Sequence, residues 1–67
     1  MMTEETEFPA SMGKVARREL AVNGITRYAQ LADRSEQELL EIHGVGPKAI
    51  RILREELSAR SLSLRDD

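Results

Sequence analysis

Leu39-Leu40-Glu41-Ile42-His43-Gly44-Val45-Gly46-Pro47-Lys48-Ala49-Ile50 is the stretch on which the reading of this chain turns. An apolar run ends at Ile42, two glycines flank Val45, and Pro47 opens a second apolar-periodic segment. Glycine permits positive φ, and proline suits the first helical position, where its missing amide would have had no partner. The order predicts a helix, a tight glycine turn and a second helix. The first amides of that second helix lack internal acceptors, and the helix dipole adds partial positive charge at the same end. Gly44 and Gly46 have no Cβ to hold an anion away from the backbone. The amides of Gly46, Lys48 and Ala49 are candidate donors, with the Lys48 ammonium beside them. Such an arrangement suits a phosphate. The spacing Gly-x-Gly-x-Lys lacks the Walker pattern and the third glycine of the dinucleotide fingerprint, and it follows a helix rather than a strand. A polynucleotide backbone is therefore a better expectation than a mononucleotide.

Working outward, every other segment also reads as helix or turn. Residues 1–7 are expected to be a disordered acidic tail, 8–65 the folded domain, and 66–67 an acidic end. Phe8-Pro9 marks the start of the domain. Ser11 is expected to cap a helix over roughly 12–22, with Met12, Val15, Ala16 and Leu20 on one face and Lys14, Arg17, Arg18 and Ala21 opposite. Glu19 falls inside the apolar arc. Asn23-Gly24 supplies a left-handed stop, followed by Ile25 as a buried anchor. Thr26 is expected to cap a short helix through about Ala32 that contributes Tyr28 and Leu31. Ser35-Glu36-Gln37-Glu38 has the form of a capping box and opens a helix over about 36–42, with Leu39, Leu40 and Ile42 inward. The last helix, about 47–58, buries Ala49, Ile50, Ile52, Leu53 and Leu57, with Lys48, Arg51 and Glu55 opposite. Leu62 and Leu64 then clip the end of the chain to the core. The fold class expected is all-α, a compact bundle of four to five short helices.

Composition narrows the function. A chain of 67 residues makes one small domain. A core of that size supplies only about 3–5 kcal/mol, which leaves little scope for a large active-site cavity. There is no cysteine, and His43 is the single histidine, so neither a thiolate nucleophile nor a Cys/His metal set is available. No nucleophile–base pair stands out. The expectation is a non-enzymatic protein with no catalytic residues, metal, cofactor or small-molecule substrate. No segment approaches the roughly 18 apolar residues of a membrane span, and Met1 to Glu7 is too acidic for a signal peptide. A cytoplasmic protein is expected. Phe8 and Tyr28 are the only aromatic residues, which argues against domains that stack bases on aromatic sheets.

The net charge of −2 speaks at first against nucleic acid, but it is unevenly spread. Glu4, Glu5, Glu7, Asp66 and Asp67 lie at the two ends; residues 9–65 hold ten basic and seven acidic residues, a surplus of +3. Lys14, Arg17 and Arg18 form one basic cluster and Lys48, Arg51 and Arg54 another, with Asp33, Glu36, Glu38 and Glu41 between them. Each cluster follows a glycine at the start of a helix. Met12-Gly13-x-x-Ala16-x-x-x-Leu20 matches Val45-Gly46-x-x-Ala49-x-x-x-Leu53, with a lysine after each glycine. Short amphipathic helices also match by chance. If the echo is a duplication, the two openings are equivalent places at which a duplex backbone is contacted twice.

The stretch Ile42-His43-Gly44-Val45-Gly46, with Lys48 just after it, resembles the helix-hairpin-helix family, whose hairpin has the form apolar-x-Gly-apolar-Gly. Over about 11–65 the chain resembles more particularly the C-terminal domain of the bacterial RNA polymerase alpha subunit. That likeness rests on Gly24-Ile25, Leu31, Arg34-Ser35-Glu36, Glu38-Leu39-Leu40, Gly44-Val45-Gly46-Pro47-Lys48 and Leu57-Ser58-Ala59-Arg60-Ser61-Leu62-Ser63-Leu64. The resemblance implies a tandem helix-hairpin-helix, SAM-like bundle and sequence-independent binding of DNA backbone phosphate by hairpin amides. Where the polymerase domain carries an arginine that enters the minor groove, this chain has Val15, so the A/T preference of that domain does not carry over. Nucleic-acid contacts are expected at Gly44, Val45, Gly46, Lys48, Ala49 and Arg51, and at the second opening at Gly13, Lys14, Arg17 and Arg18. The expected partner is DNA, bound weakly through phosphate. The second reading is a protein-interaction adaptor that uses the same bundle.

Overall fold

Four α-helices follow one another in a computed structural model that describes residues 6–67: α1 (Lys14–Val22), α2 (Tyr28–Leu31), α3 (Glu36–Leu40) and α4 (Pro47–Ala59). A 3-10 turn, Ala10–Met12, precedes α1, and no strand is present among the described residues. The Cα radius of gyration is 10.7 Å, close to the roughly 11 Å of a close-packed chain this long. Phe8, Met12, Ala16, Leu20, Ile25, Tyr28, Leu31, Leu39, Val45, Ala49, Ile50, Leu53, Leu57 and Leu64 form one core, drawn from every helix and from both flanking segments. The Phe8 and Tyr28 rings meet edge to face, with centroids 5.1 Å apart. The Arg60 guanidinium lies over the Tyr28 ring, 4.1 Å from its centroid. Burial, with the Glu56 carboxylate nearby, raises the Tyr28 phenol above its ordinary value. Both aromatic side chains are therefore consumed by the core.

Helix ends follow residue chemistry, with some departures from expectation. α1 stops in a Schellman arrangement: Gly24, at φ +80°, donates to the Ala21 carbonyl at 2.9 Å, and Ile25 donates to Leu20 at 2.8 Å. α4 ends the same way, with Ser61 donating to Ser58 at 3.1 Å and Leu62 to Leu57 at 2.8 Å. There the left-handed position holds a serine, Ser61, at φ +60°. The capping box before α3 is complete: Glu38 N donates to Ser35 Oγ at 3.1 Å, and Ser35 N donates to Glu38 Oε1 at 2.9 Å. The Ser35 amide and the Arg65 guanidinium hold the Glu38 carboxyl below its ordinary range.

Ser11 caps nothing; it sits within the 3-10 turn, and Gly13, at φ +97°, is the N-cap of α1. Thr26 does not cap α2 either. Gln30 Oε1 accepts from the Thr26 and Arg27 amides at 2.8 and 2.9 Å, and Glu7 Oε1 accepts from Tyr28 N at 2.9 Å. α3 ends at Leu40, two residues earlier than expected; Leu40 is 39% exposed, and Ile42 and Ile52, also expected inward, are half-buried.

The ends of the domain are also more engaged than expected. Residues 1–5 of the expected tail lie outside the described residues. Glu7, besides meeting Tyr28, donates its amide to the Thr26 carbonyl at 2.9 Å. At the other end Leu64 is buried, Arg65 N donates to Arg34 O at 2.8 Å, and Asp67 takes a two-pronged hydrogen bond from Arg54 at 2.8 and 2.7 Å. That guanidinium holds the Asp67 carboxyl below its ordinary range.

Candidate nucleic-acid interface

The segment between α3 and α4 is a tight turn closed by a 3.0 Å hydrogen bond from Val45 N to Ile42 O. Gly44 occupies its third position at φ +86°, where a type II turn needs glycine. The same residue is required a second time by packing. A Cβ built on Gly44 would lie 2.6 Å from Val15 Cγ1 and 3.6 Å from Glu19 Cγ, so the turn rests directly on the first two turns of α1. This explains the acid inside the apolar arc of α1: the Val15–Glu19 line is met by a glycine turn rather than by the hydrophobic core. Val15 remains 43% exposed beside it.

Gly46 differs. It is the N-cap of α4 at φ −115° and ψ −172°, an extended conformation open to any residue. The expected positive φ at both glycines therefore holds only for Gly44. A Cβ on Gly46 would meet nothing within 4 Å. Neither backbone nor packing calls for glycine there, and the space in front of its Cα is open. The Gly46 carbonyl accepts the first helical bond, from Ile50 N at 3.0 Å, and Pro47 stands at the first helical position. Among the described residues the amides of Gly46, Lys48 and Ala49 have no acceptor.

The charged groups divide into two populations. Arg54 is tied to Glu36 and Asp67, Arg60 to Glu56, and Arg65 to Glu38. Arg54, grouped by sequence with Lys48 and Arg51, is thus neutralised. Lys48, Arg51 and Lys14 are exposed and form no ion pair among the described residues. Arg18 meets Glu19 at 3.7 Å, a loose contact. Arg17 is half-buried and turns its Nε back to the Gly13 carbonyl at 3.4 Å.

Of the ten expected contact residues, the turn and the start of α4 bring together Gly44, Gly46, Lys48 and Arg51. Lys48 and Arg51 are three apart and share a face of α4. The Val15–Gly44 contact brings α1 alongside. At about 100° per residue, Arg18 and Lys14 flank the Val15–Glu19 line on one side, whereas Arg17 lies on the opposite face. Val45 and Ala49 are core residues, so their side chains face away from any ligand and only the Ala49 amide remains as a donor. The echo in the sequence has a structural counterpart. Met12, Ala16 and Leu20 are buried like Val45, Ala49 and Leu53, and Gly13 and Gly46 are both N-caps. The two caps differ in backbone, with φ +97° at Gly13 and −115° at Gly46.

The neighbourhood of the turn is not uniformly positive. Glu19 lies against Gly44, and Asn23, Arg34, Glu38, Glu41, Ile42 and His43 line a shallow polar groove on one side of it. No group of side chains among the described residues has the makings of a metal site, and no described helix is long and apolar enough to cross a membrane. No known protein family, curated protein or solved structure matches this chain.

Proposed function

We propose that this chain is a small, non-enzymatic DNA-binding module that grips backbone phosphate at the start of α4, largely without regard to base sequence. In this reading α3, the 41–46 turn and α4 form a helix-hairpin-helix. α1 with its own glycine-led opening is the second member of a tandem arrangement. The observation that carries the reading is Gly46: a glycine required by neither conformation nor packing, with open space before it and around it three amides that have no acceptor among the described residues. A phosphate oxygen needs that close approach to backbone, and a side chain at 46 would deny it. Lys48 and Arg51, which form no ion pair among the described residues, supply charge in the first turns of the same helix. Burial of both aromatic rings removes the usual means of stacking on unpaired bases, which favours phosphate contact over base contact.

Three to five neutralised phosphates give a log K against log salt slope of about −2.7 to −4.5 and a dissociation constant in the micromolar range or weaker at physiological salt. The test is titration of the ¹⁵N-labelled protein with a short duplex. Shifts are expected at the Gly46, Lys48 and Ala49 amides, and Lys48→Glu should weaken binding several-fold. Binding that ignores salt, or that Lys48→Glu leaves untouched, defeats the proposal. A protein-interaction adaptor is the second reading, favoured by the apolar side chain of Val22, 72% exposed on α1. In that case the duplex moves no amide at the start of α4.

A further inference from the structure

Resting on the phosphate-binding reading, we infer that Glu19 is an affinity-setting counter-charge, which holds Arg18 in reserve and keeps the module's grip on DNA weak. Three observations carry this. Glu19 is an acid placed within the turn-facing line of α1, its Cγ 3.6 Å from where a Gly44 Cβ would stand. Its side chain is only 23% exposed, so its charge is less screened by water than that of the open surface acids. Its Oε2 lies 3.7 Å from Arg18 Nε, and Arg18 is the arginine of the first basic cluster that flanks the turn. One carboxylate thus acts twice, repelling an anion that approaches the turn and engaging the Arg18 guanidinium beside it.

The contact is long for a charge-assisted hydrogen bond, which would close to about 2.7–2.9 Å. Arg18 is consequently held loosely and is released at little expense when a phosphate offers a better partner. Glu41 also borders the turn but forms no ion pair with an arginine among the described residues, and a carboxylate remote from the turn has neither effect. Glu56, paired with Arg60, lies nine residues along α4 from Pro47, roughly 14 Å from its start and beyond the Debye length of about 10 Å.

The experiment measures duplex binding by fluorescence anisotropy at several salt concentrations for the full chain, Glu19→Gln, Glu56→Gln, Arg18→Gln and the Arg18→Gln/Glu19→Gln pair. Thermal melts of each confirm folding. Glu19→Gln is expected to bind roughly three- to tenfold more tightly, the size of one like charge removed at about 4 Å in water or about 12 Å near a protein surface. Its salt slope should steepen by about 0.9, as one more phosphate is neutralised. Glu56→Gln, with the same change in net charge, should stay within twofold of the unmodified chain. Arg18→Gln should weaken binding more in the Glu19→Gln background than alone. Equal gains from Glu19→Gln and Glu56→Gln, or no gain from Glu19→Gln, overturn the inference while leaving the phosphate-binding reading standing. Failure of the unmodified chain to bind duplex at any salt defeats that reading itself.

Discussion

Replacing Gly44 by alanine is the most demanding test of the turn that supports the candidate interface. Two costs fall on the same atom. The backbone at φ +86° is left-handed, which costs an alanine about 1–2 kcal/mol. The new Cβ would lie 2.6 Å from Val15 Cγ1, well inside contact distance. Val15 has little means of yielding, since a β-branched side chain in a helix holds one χ1 rotamer strongly. Relief by rotamer distortion or by sliding the turn away from α1 costs about another 1–2 kcal/mol. The sum, about 2–4 kcal/mol, rivals the total stability expected of so small a core. For a domain of this size each kcal/mol moves the melting midpoint by about 4–8 °C, so a fall of about 8–30 °C is expected by far-UV circular dichroism. The two contributions separate in a double-mutant cycle. Val15→Ala deletes the clashing methyl, so the Gly44→Ala/Val15→Ala protein should be destabilised by about 1–2 kcal/mol less than the two single changes added together. Gly46→Ala is the control and should stay within about 0.5 kcal/mol of the parent, because its backbone is extended and its Cβ position is open. A Gly44→Ala protein as stable as the parent, or one that Val15→Ala fails to relieve, would refute both the placement of the turn on α1 and the reasoning built on it.

Further outcomes follow from the helix ends and the carboxylates. Ser61→Gly should stabilise by about 0.5–1 kcal/mol, because the left-handed cap of α4 at φ +60° strains a serine and not a glycine; urea denaturation reads this directly. Ser35→Ala should cost about 1 kcal/mol by the same assay, since it leaves the Glu38 amide without its acceptor. The Glu38 and Asp67 carboxyls both titrate below their usual 4.5 and 3.8. Their contribution is therefore complete above those values and drains away as pH falls through the lowered folded-state values. The melting midpoint at constant ionic strength should consequently drop below about pH 4, and Glu38→Gln should flatten that drop; an unchanged midpoint at pH 2.5 counts against both pairings.

Where a signal is local the sequence announces it. Ser35 and Glu38 lie three residues apart and each closes on the other's amide, so the motif is visible without any knowledge of the rest of the chain. Gly24 and Pro47 are legible for the same reason: one suits a left-handed cap, the other a first helical turn. The cap on α2 is different. Glu7 reaches Tyr28 across twenty-one positions, and nothing near Tyr28 foretells it. Ser11 loses its expected role because Gly13 breaks the backbone between the 3-10 turn and α1, a break that the apolar periodicity runs straight across. The burial echo between the two glycine-led helices was readable, since it depends on spacing alone. Their different backbone angles were not, since glycine permits either. At the candidate site, Lys48 and the amides beside it follow from motif chemistry. Which arginines remain unpaired depends on where the chain ends fold back, as Arg54 shows by turning to Asp67.

The burial of Tyr28, in contact with the Phe8 ring and the Arg60 guanidinium, also makes this protein its own spectroscopic reporter. With no tryptophan and a single tyrosine, its near-ultraviolet signal comes mainly from one phenol. Glu56, near the phenol, and Arg60, stacked on it, both belong to the C-terminal end of α4, about 14 Å or more along the helix from the opening that Pro47 begins. Emission and near-ultraviolet dichroism should therefore follow loss of the core while staying almost silent when a ligand docks at the far end. Alkaline titration sharpens the same instrument: a phenol held above its ordinary value ionises late, and a shift back toward 10.0 marks the point at which the core has opened.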